Sequence, residues 1–479
     1  MPLTELENAI LNAIRQEGVS TAYDLGRSLG VSQPTISRAL VSLEASIVRI
    51  GKARRTRYAA LRDVRGLGCE WPLFRIDAEG RPKAFGRLSS LYGAGTLVSD
   101  ASSDWLCGDF ADGLFPGVPW FLDDQRPQGF LGRQFAQRWS RDLGLPADIL
   151  RWNDDAVLAA LLLHGEDGPG NFVVGERALE AALLSEPTVV SSQQRGDLYD
   201  ALAGKAIAGE AVGSSAAGEQ PKFTTTVLDE DGSIRHVIVK FSEAVENNPT
   251  ARRWADLLIC EHLASELLRE QGNTSSRTEL IWSQGRLCLE VTRFDRIGPH
   301  GRRGCVSLAA WSDAHDGERD GWPSAVARMD KGGWLAPGTL EATKRRWWFG
   351  LHIGNTDMHF GNLSFFLGDA LPLDLTPSYD MLPMLYRPAS NGAVLAREYR
   401  PPVPTPGEMD LWAMTAGWAQ DYWERVAAHD EVSIDFRQIA ASNAASLLGP
   451  RPAAPHRSPF WAEYRGSIKS FPARSSPSA

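Results

Sequence analysis

The sequence has few cysteines and lacks any long apolar run. Its five cysteines are scattered and form no CxxC pair, which argues against both a disulfide framework and a structural zinc site. No stretch of about 18 apolar residues occurs, so no membrane span is predicted. The first residues are acidic where a secretory signal would be basic, and we therefore expect a cytoplasmic protein.

Three common catalytic signatures are also missing. The chain contains no HExxH, the helical motif of zinc proteases, and no GxSxG placed on a strand-to-helix turn, where many serine hydrolases carry their nucleophile. It also lacks GxxxxGK[ST], the phosphate loop of P-loop nucleotide hydrolases. Any chemistry must therefore come from residues outside these patterns.

The composition is that of a globular protein with a basic N-terminal part. A chain of 479 residues predicts two or three domains, and its 43% hydrophobic and 23% charged residues are ordinary values. The net charge is −9, which by itself predicts no nucleic-acid partner. However, residues 1–62 carry nine Lys and Arg against five Asp and Glu, so this head has a balance of +4 and the remainder −13.

The head predicts three helices and a basic hairpin. Apolar residues repeat at helical spacing up to Ile14. Ser20 is the expected cap of a second helix that stops at Gly30, and Pro34 lies in the first turn of a third. The following stretch, IVRIGKARRTRYAAL, predicts two short strands around a tight basic turn.

Together these elements resemble a winged helix–turn–helix DNA-binding domain. The third helix exposes residues able to reach base edges, and the turn supplies cations for the phosphate backbone. The predicted DNA contacts are Gln33, Thr35, Ser37, Arg38, Lys52, Arg54, Arg55 and Arg57. The alternative is a small helical packing domain with a solvated basic loop. DNA binding is favoured because the basic turn lies where a wing should be.

The segment after the head predicts a linker and a small β module without chemistry of its own. Residues 63–72, DVRGLGCEWP, have the composition of a linker. Short β-like runs broken by Gly, Pro and Asp follow, with Trp105 and Trp120 as predicted core residues. Residues 154–164 and 176–184 predict helices.

A glycine-rich loop and a lysine in a predicted strand come next. The loop, AGEAVGSSAAGEQPKF, lets backbone N–H groups approach an anion, although alone it is also typical of a flexible linker. TTTVLD and HVIVKF predict paired strands, the second carrying Lys240, which can reach a phosphate or snorkel to solvent. The next helix carries Glu261 and Glu266, and either can pair with Lys240, as in protein kinases, or stay solvated.

The stretch GNTDMHFGNLSF, residues 354–365, places several polar groups directly after a predicted helix. It contains Asp357 and Asn362, and TPSYDMLP adds Asp380. A glycine-rich loop, a strand lysine and these three residues, in this order, are the parts needed for phosphoryl transfer from ATP. Asp357 would orient or accept the hydroxyl proton, while Asn362 and Asp380 would hold Mg²⁺, which prefers oxygen ligands. His359 is expected to orient the loop by hydrogen bonds.

The motifs SSAAGEQPKF, VIVKFS, VTRFDR, GNTDMHFGN and LTPSYDMLP resemble those of HipA-type serine/threonine kinases, the toxins of bacterial toxin–antitoxin systems. The resemblance covers residues 70–445. It implies an α+β, protein-kinase-like two-lobed fold with an added N-terminal subdomain. The winged head corresponds to the YjjJ-like branch of the family. ATP and Mg²⁺ are the implied cofactors.

The resemblance also implies roles for single residues. Asp357 would be the catalytic base, and Asn362 and Asp380 the magnesium ligands. The family's glutamate partner of the ATP lysine does not align cleanly with this sequence, and Glu261 is the preferred choice. Ser215 is the implied autophosphorylation site, with Ser214 as the adjacent alternative. The residues implied to bind ATP are Lys240, Ser215, Ala216, Ala217, Gly218, Glu219, Gln220, Lys222 and His359.

The implied partners are proteins and DNA. Typical substrates of the family are aminoacyl-tRNA synthetases, phosphorylated on serine. Its toxins usually work with a separate DNA-binding antitoxin, and the head carried in this chain leaves open whether one is needed. A homodimer is compatible with the head, since winged-helix proteins often bind DNA as dimers. No membrane partner is expected.

Five segments are expected: a winged head at 1–62, a mostly β subdomain at 63–152, a part resembling a kinase N-lobe at 153–300, a helical C-lobe at 301–448 and a Pro/Ser-rich tail at 449–479. The leading hypothesis is an ATP-dependent serine/threonine kinase with its own DNA-binding domain. The alternatives are a DNA-binding regulator whose kinase-like body binds a ligand but is catalytically weak, and a small-molecule kinase of the same fold.

Overall fold

The N-terminal head contains three helices followed by a two-stranded antiparallel hairpin. The structure is a computed structural model that describes residues 3–93, 95–185, 189–208 and 220–448. The elements of the head are α1 (Glu5–Glu17), α2 (Ala22–Leu29), α3 (Gln33–Ser42), β1 (Ile47–Ile50) and β2 (Arg57–Ala60). Ile36, Leu40 and Leu43 are buried in the core that these elements share, as the helical spacing predicted.

The helix ends in the head follow the local sequence with one correction. α2 begins after Thr21, whose hydroxyl accepts the Asp24 N–H at 3.1 Å, so the cap predicted at Ser20 is wrong. Ser20 is instead joined to Tyr58 of β2 by two backbone hydrogen bonds. α2 ends at Gly30 as predicted, because its φ of 67° lies in the left-handed region that glycine tolerates.

The head packs directly on the middle of the chain, so the linker predicted after it is wrong. The backbone N–H of Arg62 donates to the Ser90 carbonyl, and that of Tyr92 donates to Ala60. The Arg62 guanidinium also donates two hydrogen bonds, of 2.5 and 2.7 Å, to the Asp155 carboxylate. These contacts join the hairpin of the head to a neighbouring sheet.

The middle of the chain forms a five-stranded antiparallel sheet flanked by helices. Its elements are β3 (Glu70–Ile76), β4 (Pro82–Leu91), β5 (Gly95–Ser99), β6 (Leu114–Phe115), α4 (Gly129–Trp139), α5 (Asp154–His164), β7 (Phe172–Val174) and α6 (Glu176–Leu184). α5 and α6 match the predicted helices. The strand order β6-β5-β4-β3-β7 continues the sheet beyond residue 152, where the sequence placed the end of the β-rich part. Trp105 and Trp120 are buried in its core, as predicted.

A second five-stranded sheet forms the upper lobe of a two-lobed body. Its elements are β8 (Val189–Ser191), α7 (Arg195–Ala208), β9 (Lys222–Leu228), β10 (Ile234–Phe241), α8 (Pro249–Glu270), β11 (Thr278–Ser283) and β12 (Arg286–Thr292). The strand order is β11-β12-β10-β9-β8, so β10 is central. β9 and β10 form the predicted antiparallel pair and place Lys222 opposite Lys240.

The lower lobe is mostly helical. Its elements are β13 (Arg296–Ile297), β14 (Gly301–Arg302), β15 (Cys305–Ser307), α9 (Leu308–His315), α10 (Trp322–Lys331), α11 (Thr339–His352), β16 (Ser364–Phe366), β17 (Asp374–Leu375), α12 (Met409–Ala428) and α13 (Ile434–Leu448). α8 packs against both β12 and α12, and one apolar core therefore continues from the upper lobe into the lower one. The α+β, two-lobed architecture is confirmed.

The helices of the described ranges are those of a packed protein core. The longest, α8, has 22 residues, but it buries charged side chains such as Asp256 and Glu261. Within these ranges, no helix combines the length and the apolar character needed to cross a membrane.

Candidate functional site

The candidate residues of the phosphoryl-transfer hypothesis meet between the two lobes. Lys240 comes from β10 and Glu261 from α8, both in the upper lobe. Asp357 and Asn362 follow α11, and Asp380 follows β17, in the lower lobe. A direct contact between Lys240 and Asp380 joins the two sets across the lobe boundary.

Lys240 forms an ion triad with two carboxylates, the buried Glu261 and the partly exposed Asp380. Its Nζ lies 2.6 and 2.7 Å from the two carboxylate oxygens of Glu261, and it also donates to Asp380. Glu261 is only 1% exposed. Glu266, the other candidate partner, instead lies 3.5 Å from His262 on the same helix. The structure thus confirms Glu261 as the glutamate that pairs with Lys240.

The local sequence explains why the lysine and the glutamate meet. β10 is hydrogen-bonded on both sides, and Lys240 lies between the buried residues Val239 and Phe241. α8 begins at Pro249, a residue favoured in the first helical turn, and is capped by the Asn248 side chain. Most residues of the helix are buried, from Ala251 to Leu268, so the helix packs into the body and carries Glu261 with it.

The charges of the triad shift one another's pKa values. Burial favours the neutral form of the Lys240 amine, but the negative charges of Asp380 and Glu261 outweigh burial and raise its pKa. Burial raises the pKa of Glu261, and the nearby Lys240 offsets this only in part. Burial also acts on Asp380, but the positive charges of Lys240 and Lys222 lower its pKa to about 2. Asp380 is therefore an anion at neutral pH.

The loop after α11 is held by its own polar side chains. The Asn362 amide donates to the Asp357 carbonyl at 2.8 Å, and the Asp357 N–H donates to the Asn355 amide oxygen at 3.0 Å. His359 Nδ1 accepts the Gly361 N–H at 3.0 Å. This contact supports the predicted role of His359 in orienting the loop. Asp357 itself is half-buried.

The loop that carries Asp380 is fastened to the same region. The Tyr379 hydroxyl donates to the Gly361 carbonyl at 2.8 Å and lies 2.7 Å from the Ser364 hydroxyl. Asp380 has a φ of 54°, a left-handed backbone conformation that is uncommon for residues other than glycine. Its backbone carbonyl accepts a 3.3 Å hydrogen bond from the Asn355 amide. Such backbone strain persists only where the surroundings hold it, and it is frequent at functional sites.

The donor set is suited to Mg²⁺. Asp380 supplies a carboxylate, and Asn362 uses its amide nitrogen on Asp357, which leaves its amide oxygen to bind a cation. Over the described part of the chain, no three His, Cys, Asp or Glu residues form a metal cluster. Mg²⁺ does not require one, because it is commonly bound by one or two protein oxygens together with water and phosphate oxygens.

The proposed ATP-binding residues are only partly within the structure. Ser214, Ser215, Ala216, Ala217, Gly218 and Glu219 lie outside the described residues. Gln220 donates to the Phe241 carbonyl at 2.7 Å, which places the end of the glycine-rich loop beside the last residue of β10. Lys222 is adjacent to Lys240 across β9 and β10, so two lysines face the gap between the lobes.

Two residues of this site were not predicted from the sequence. Asn355 is 1% exposed and contacts both the Asp357 and the Asp380 loops. Tyr379 links the Asp380 loop to Gly361 and Ser364. Asn355 lies two residues before Asp357 in GNTD, and Tyr379 lies directly before Asp380 in SYD. This closeness to a predicted functional residue was the signal in the sequence by which both could have been found.

The RFDR segment joins the middle of the chain to the body. Asp295 accepts two hydrogen bonds of 3.0 Å from Arg293 and one of 2.7 Å from Arg296. It also accepts the Gly170 N–H at 2.9 Å, and both arginines donate to Asp167. The RFDR segment is therefore a buried ion cluster that fixes the loop before β7.

The predicted DNA-binding residues fall into two groups. Gln33, Ser37 and Arg38 are exposed on α3 and Thr35 is half-buried, while Lys52 and Arg55 are exposed at the hairpin turn. For Arg54, the side chain lies outside the described part. Arg57 is half-buried and paired with Asp112, in the turn before β6. The role predicted for Arg57 as a wing contact therefore conflicts with this ion pair, because the guanidinium already has a carboxylate partner.

Comparisons with known proteins agree with this geometry. Residues 67–183 match the YjjJ-like toxin middle domain family, and residues 214–447 match the HipA-like C-terminal domain family. The chain is 37% identical to toxin YjjJ of Escherichia coli K12 over 441 residues, covering 91% of this chain and 96% of the relative. A solved complex of Shewanella oneidensis MR-1 HipA with HipB and operator DNA has the same fold, with a TM-score of 0.51, 16% identity, and coverage of 79% of this chain and 96% of that chain.

Proposed function

Because the chain belongs to the HipA family of toxins, in the branch that contains toxin YjjJ, we propose that it is an ATP-dependent serine/threonine protein kinase with a DNA-binding head. The observation that carries the proposal is the triad of Lys240, Glu261 and Asp380 beside Asp357 and Asn362. A strand lysine paired with a helix glutamate, next to two loops with oxygen ligands, is the arrangement that phosphoryl transfer requires.

Each side chain has a chemical role in this proposal. Lys240 binds phosphate oxygens of ATP, and Glu261 keeps the ammonium group in position. Asn362 and Asp380 hold Mg²⁺, which neutralises phosphate charge when bound. The Asp357 carboxylate accepts the proton of the serine hydroxyl as that oxygen forms its bond to the γ-phosphorus. The bond from this phosphorus to the β–γ bridging oxygen breaks, and ADP leaves with the electron pair.

The kinase activity is tested by label transfer from γ-labelled ATP with the purified full chain. We expect labelling of the protein itself or of an added extract by the unmodified chain, and no labelling by Asp357→Gln. His359→Gln is the comparison variant in the same loop: it removes the orienting hydrogen bond and one residue implied to bind ATP but keeps the proposed base, so it should retain part of the activity. Equal labelling by the unmodified chain and Asp357→Gln would contradict the role of Asp357.

The head supports a second activity in the same chain. Its α3 presents Gln33, Ser37 and Arg38 to solvent, and the hairpin turn adds Lys52 and Arg55. An exposed helix N-terminus beside a basic turn fits the major groove and the flanking phosphates. We assign DNA binding to this surface. It also serves the alternative function, a DNA-binding regulator with a catalytically weak body, which binds Mg²⁺–ATP without transferring label.

The partners follow from the same proposal. The related Shewanella system contains an antitoxin, HipB, together with operator DNA. In the present chain the head takes the DNA-binding role, and a separate antitoxin would add to it rather than supply it. The proposed acceptor is a protein serine, and an aminoacyl-tRNA synthetase is the first candidate to test. Ser215, with Ser214 beside it, is the proposed site of autophosphorylation.

A further inference from the structure

Asn355 is buried, and the two ends of its side-chain amide form hydrogen bonds to the two loops of the candidate site. It lies two residues before Asp357 and is 1% exposed. Its amide oxygen accepts the Asp357 N–H at 3.0 Å. Its amide nitrogen donates to the Asp380 carbonyl at 3.3 Å and contacts the Met381 sulfur at 3.7 Å.

The backbone around Asn355 is itself fixed. Its N–H donates to the Gly350 carbonyl at 2.8 Å at the end of α11. The preceding Gly354 has a φ of 72°, and its carbonyl accepts the Leu385 N–H at 3.0 Å. The side chain of Asn355 therefore projects from a rigid helix end. A rigid base is what precise positioning of another residue requires.

We propose that Asn355 is a positioning residue that sets the Asp380 carboxylate relative to Asp357. The inference rests on the proposed kinase function. Asp380 has the left-handed φ of 54°, and the hydrogen bond from Asn355 to its carbonyl is one of the contacts that hold this conformation. Because the Asn355 side chain bonds both loops, it fixes the separation between the proposed base, Asp357, and the proposed metal ligand, Asp380.

Only a group with one donor and one acceptor can make both contacts. Asn355→Asp keeps the volume and the acceptor for the Asp357 N–H, but an ionised carboxylate cannot donate to the Asp380 carbonyl. Asn355→Leu keeps much of the volume and removes both contacts. Asn443 is a matched control, since it is also buried in the lower lobe at 5% exposure and its amide bonds the Tyr386 hydroxyl, and within the described residues it has no hydrogen bond to the Asp357 or the Asp380 loop.

The test measures label transfer and nucleotide binding for the unmodified chain, Asn355→Asp, Asn355→Leu and Asn443→Asp. We expect both Asn355 variants to lower kcat by about tenfold or more, because a small displacement of reacting groups is costly, with a smaller change in KM for ATP. The second readout is calorimetric binding of ADP. The gain in ADP affinity on adding Mg²⁺ should shrink in the Asn355 variants and remain in Asn443→Asp.

The outcomes distinguish failure of the positioning role of Asn355 from failure of the proposed kinase function. An active unmodified chain whose kcat and magnesium-dependent ADP affinity are unchanged in Asn355→Asp overturns the positioning role alone. The same is true if Asn443→Asp lowers kcat as much as Asn355→Asp at equal melting temperature, because the effect is then general destabilisation. If the unmodified chain transfers no label under any condition, the proposed function fails, and the positioning role fails with it.

Discussion

Replacing Glu261 by glutamine removes one carboxylate from the ion triad and leaves its shape nearly unchanged. Lys240 would retain only Asp380, and the new amide can accept one hydrogen bond from the ammonium but carries no charge. Breaking a buried ion pair on one side costs about 3–5 kcal/mol when the remaining charge has no other partner. Since Asp380 remains, we expect the lower end, about 3 kcal/mol of unfolding free energy.

This loss is large enough to measure. For a cooperative unit of about 150–250 residues, each kcal/mol shifts the melting temperature by about 2–4 °C, so Glu261→Gln should lower it by about 6–12 °C. The assay is thermal unfolding of the full chain without nucleotide. We also expect weaker binding of Mg²⁺–ATP, because Lys240 would be drawn towards Asp380 and away from phosphate oxygens.

Glu266→Gln is the matched control for this prediction. The residue is on the same helix, has a side chain 42% exposed and, among the described residues, forms an ion pair only with His262, at 3.5 Å. Exposed pairs of this kind contribute about 0–1 kcal/mol, so the control should melt within a few degrees of the unmodified chain. If Glu261→Gln melts like Glu266→Gln and binds Mg²⁺–ATP normally, the triad is not the structural centre of the site.

Three further predictions concern other parts of the chain. His352 is fully buried, and burial lowers its pKa to about 4, so its contribution to the free energy of unfolding should be fully present above pH 6.5 and should fall by at most about 1.4 kcal/mol per pH unit between pH 6.5 and 4. His352→Leu should flatten this slope in pH-dependent unfolding, and an unchanged slope would exclude His352 as its source. Lys52→Ala with Arg55→Ala should weaken DNA retention and reduce the salt slope, whereas Arg57→Ala should do so less, because Arg57 is paired with Asp112; equal effects would contradict this. Mass spectrometry of the purified chain should find phosphate on Ser215 or Ser214 and none there in Asp357→Gln; phosphate found only elsewhere would argue against a switch at this loop.

Local patterns were sufficient for much of the fold. Helices α5 and α6, the β9–β10 pair and the hairpin of the head follow from periodicity and turn residues, which act over a few positions. The order of the motifs also identified the residues that meet between the lobes. Contacts between residues of known motifs can be predicted in this way.

Contacts between distant segments that no motif marks could not be predicted. The stretch after the head has the composition of a linker, but Asp63 binds the N–H groups of Gly66 and Gly68 and makes it a compact turn. Arg62 pairs with Asp155, 93 residues further along the chain, so the head packs against the middle of the chain instead of being joined to it by a flexible linker. Nothing near either residue in the sequence indicates this pairing.

The same reason explains two contacts that the sequence did not show. Arg57 was predicted to bind phosphate because its neighbours are basic, and its ion pair with Asp112, 55 residues further along the chain, could not be foreseen. Asn355 was not singled out because a buried amide and a solvated loop amide look alike in sequence. Its importance appears only when the Asp357 and Asp380 loops are placed together.

The proposed function requires that this chain transfers phosphate from ATP to serine residues of proteins through Asp357. It is tested most directly by quantitative phosphoproteomics of cells that express the unmodified chain or Asp357→Gln at equal levels. We predict serine phosphopeptides that appear only with the unmodified chain, including one from its primary target. Identical phosphoproteomes at equal expression would contradict the claim.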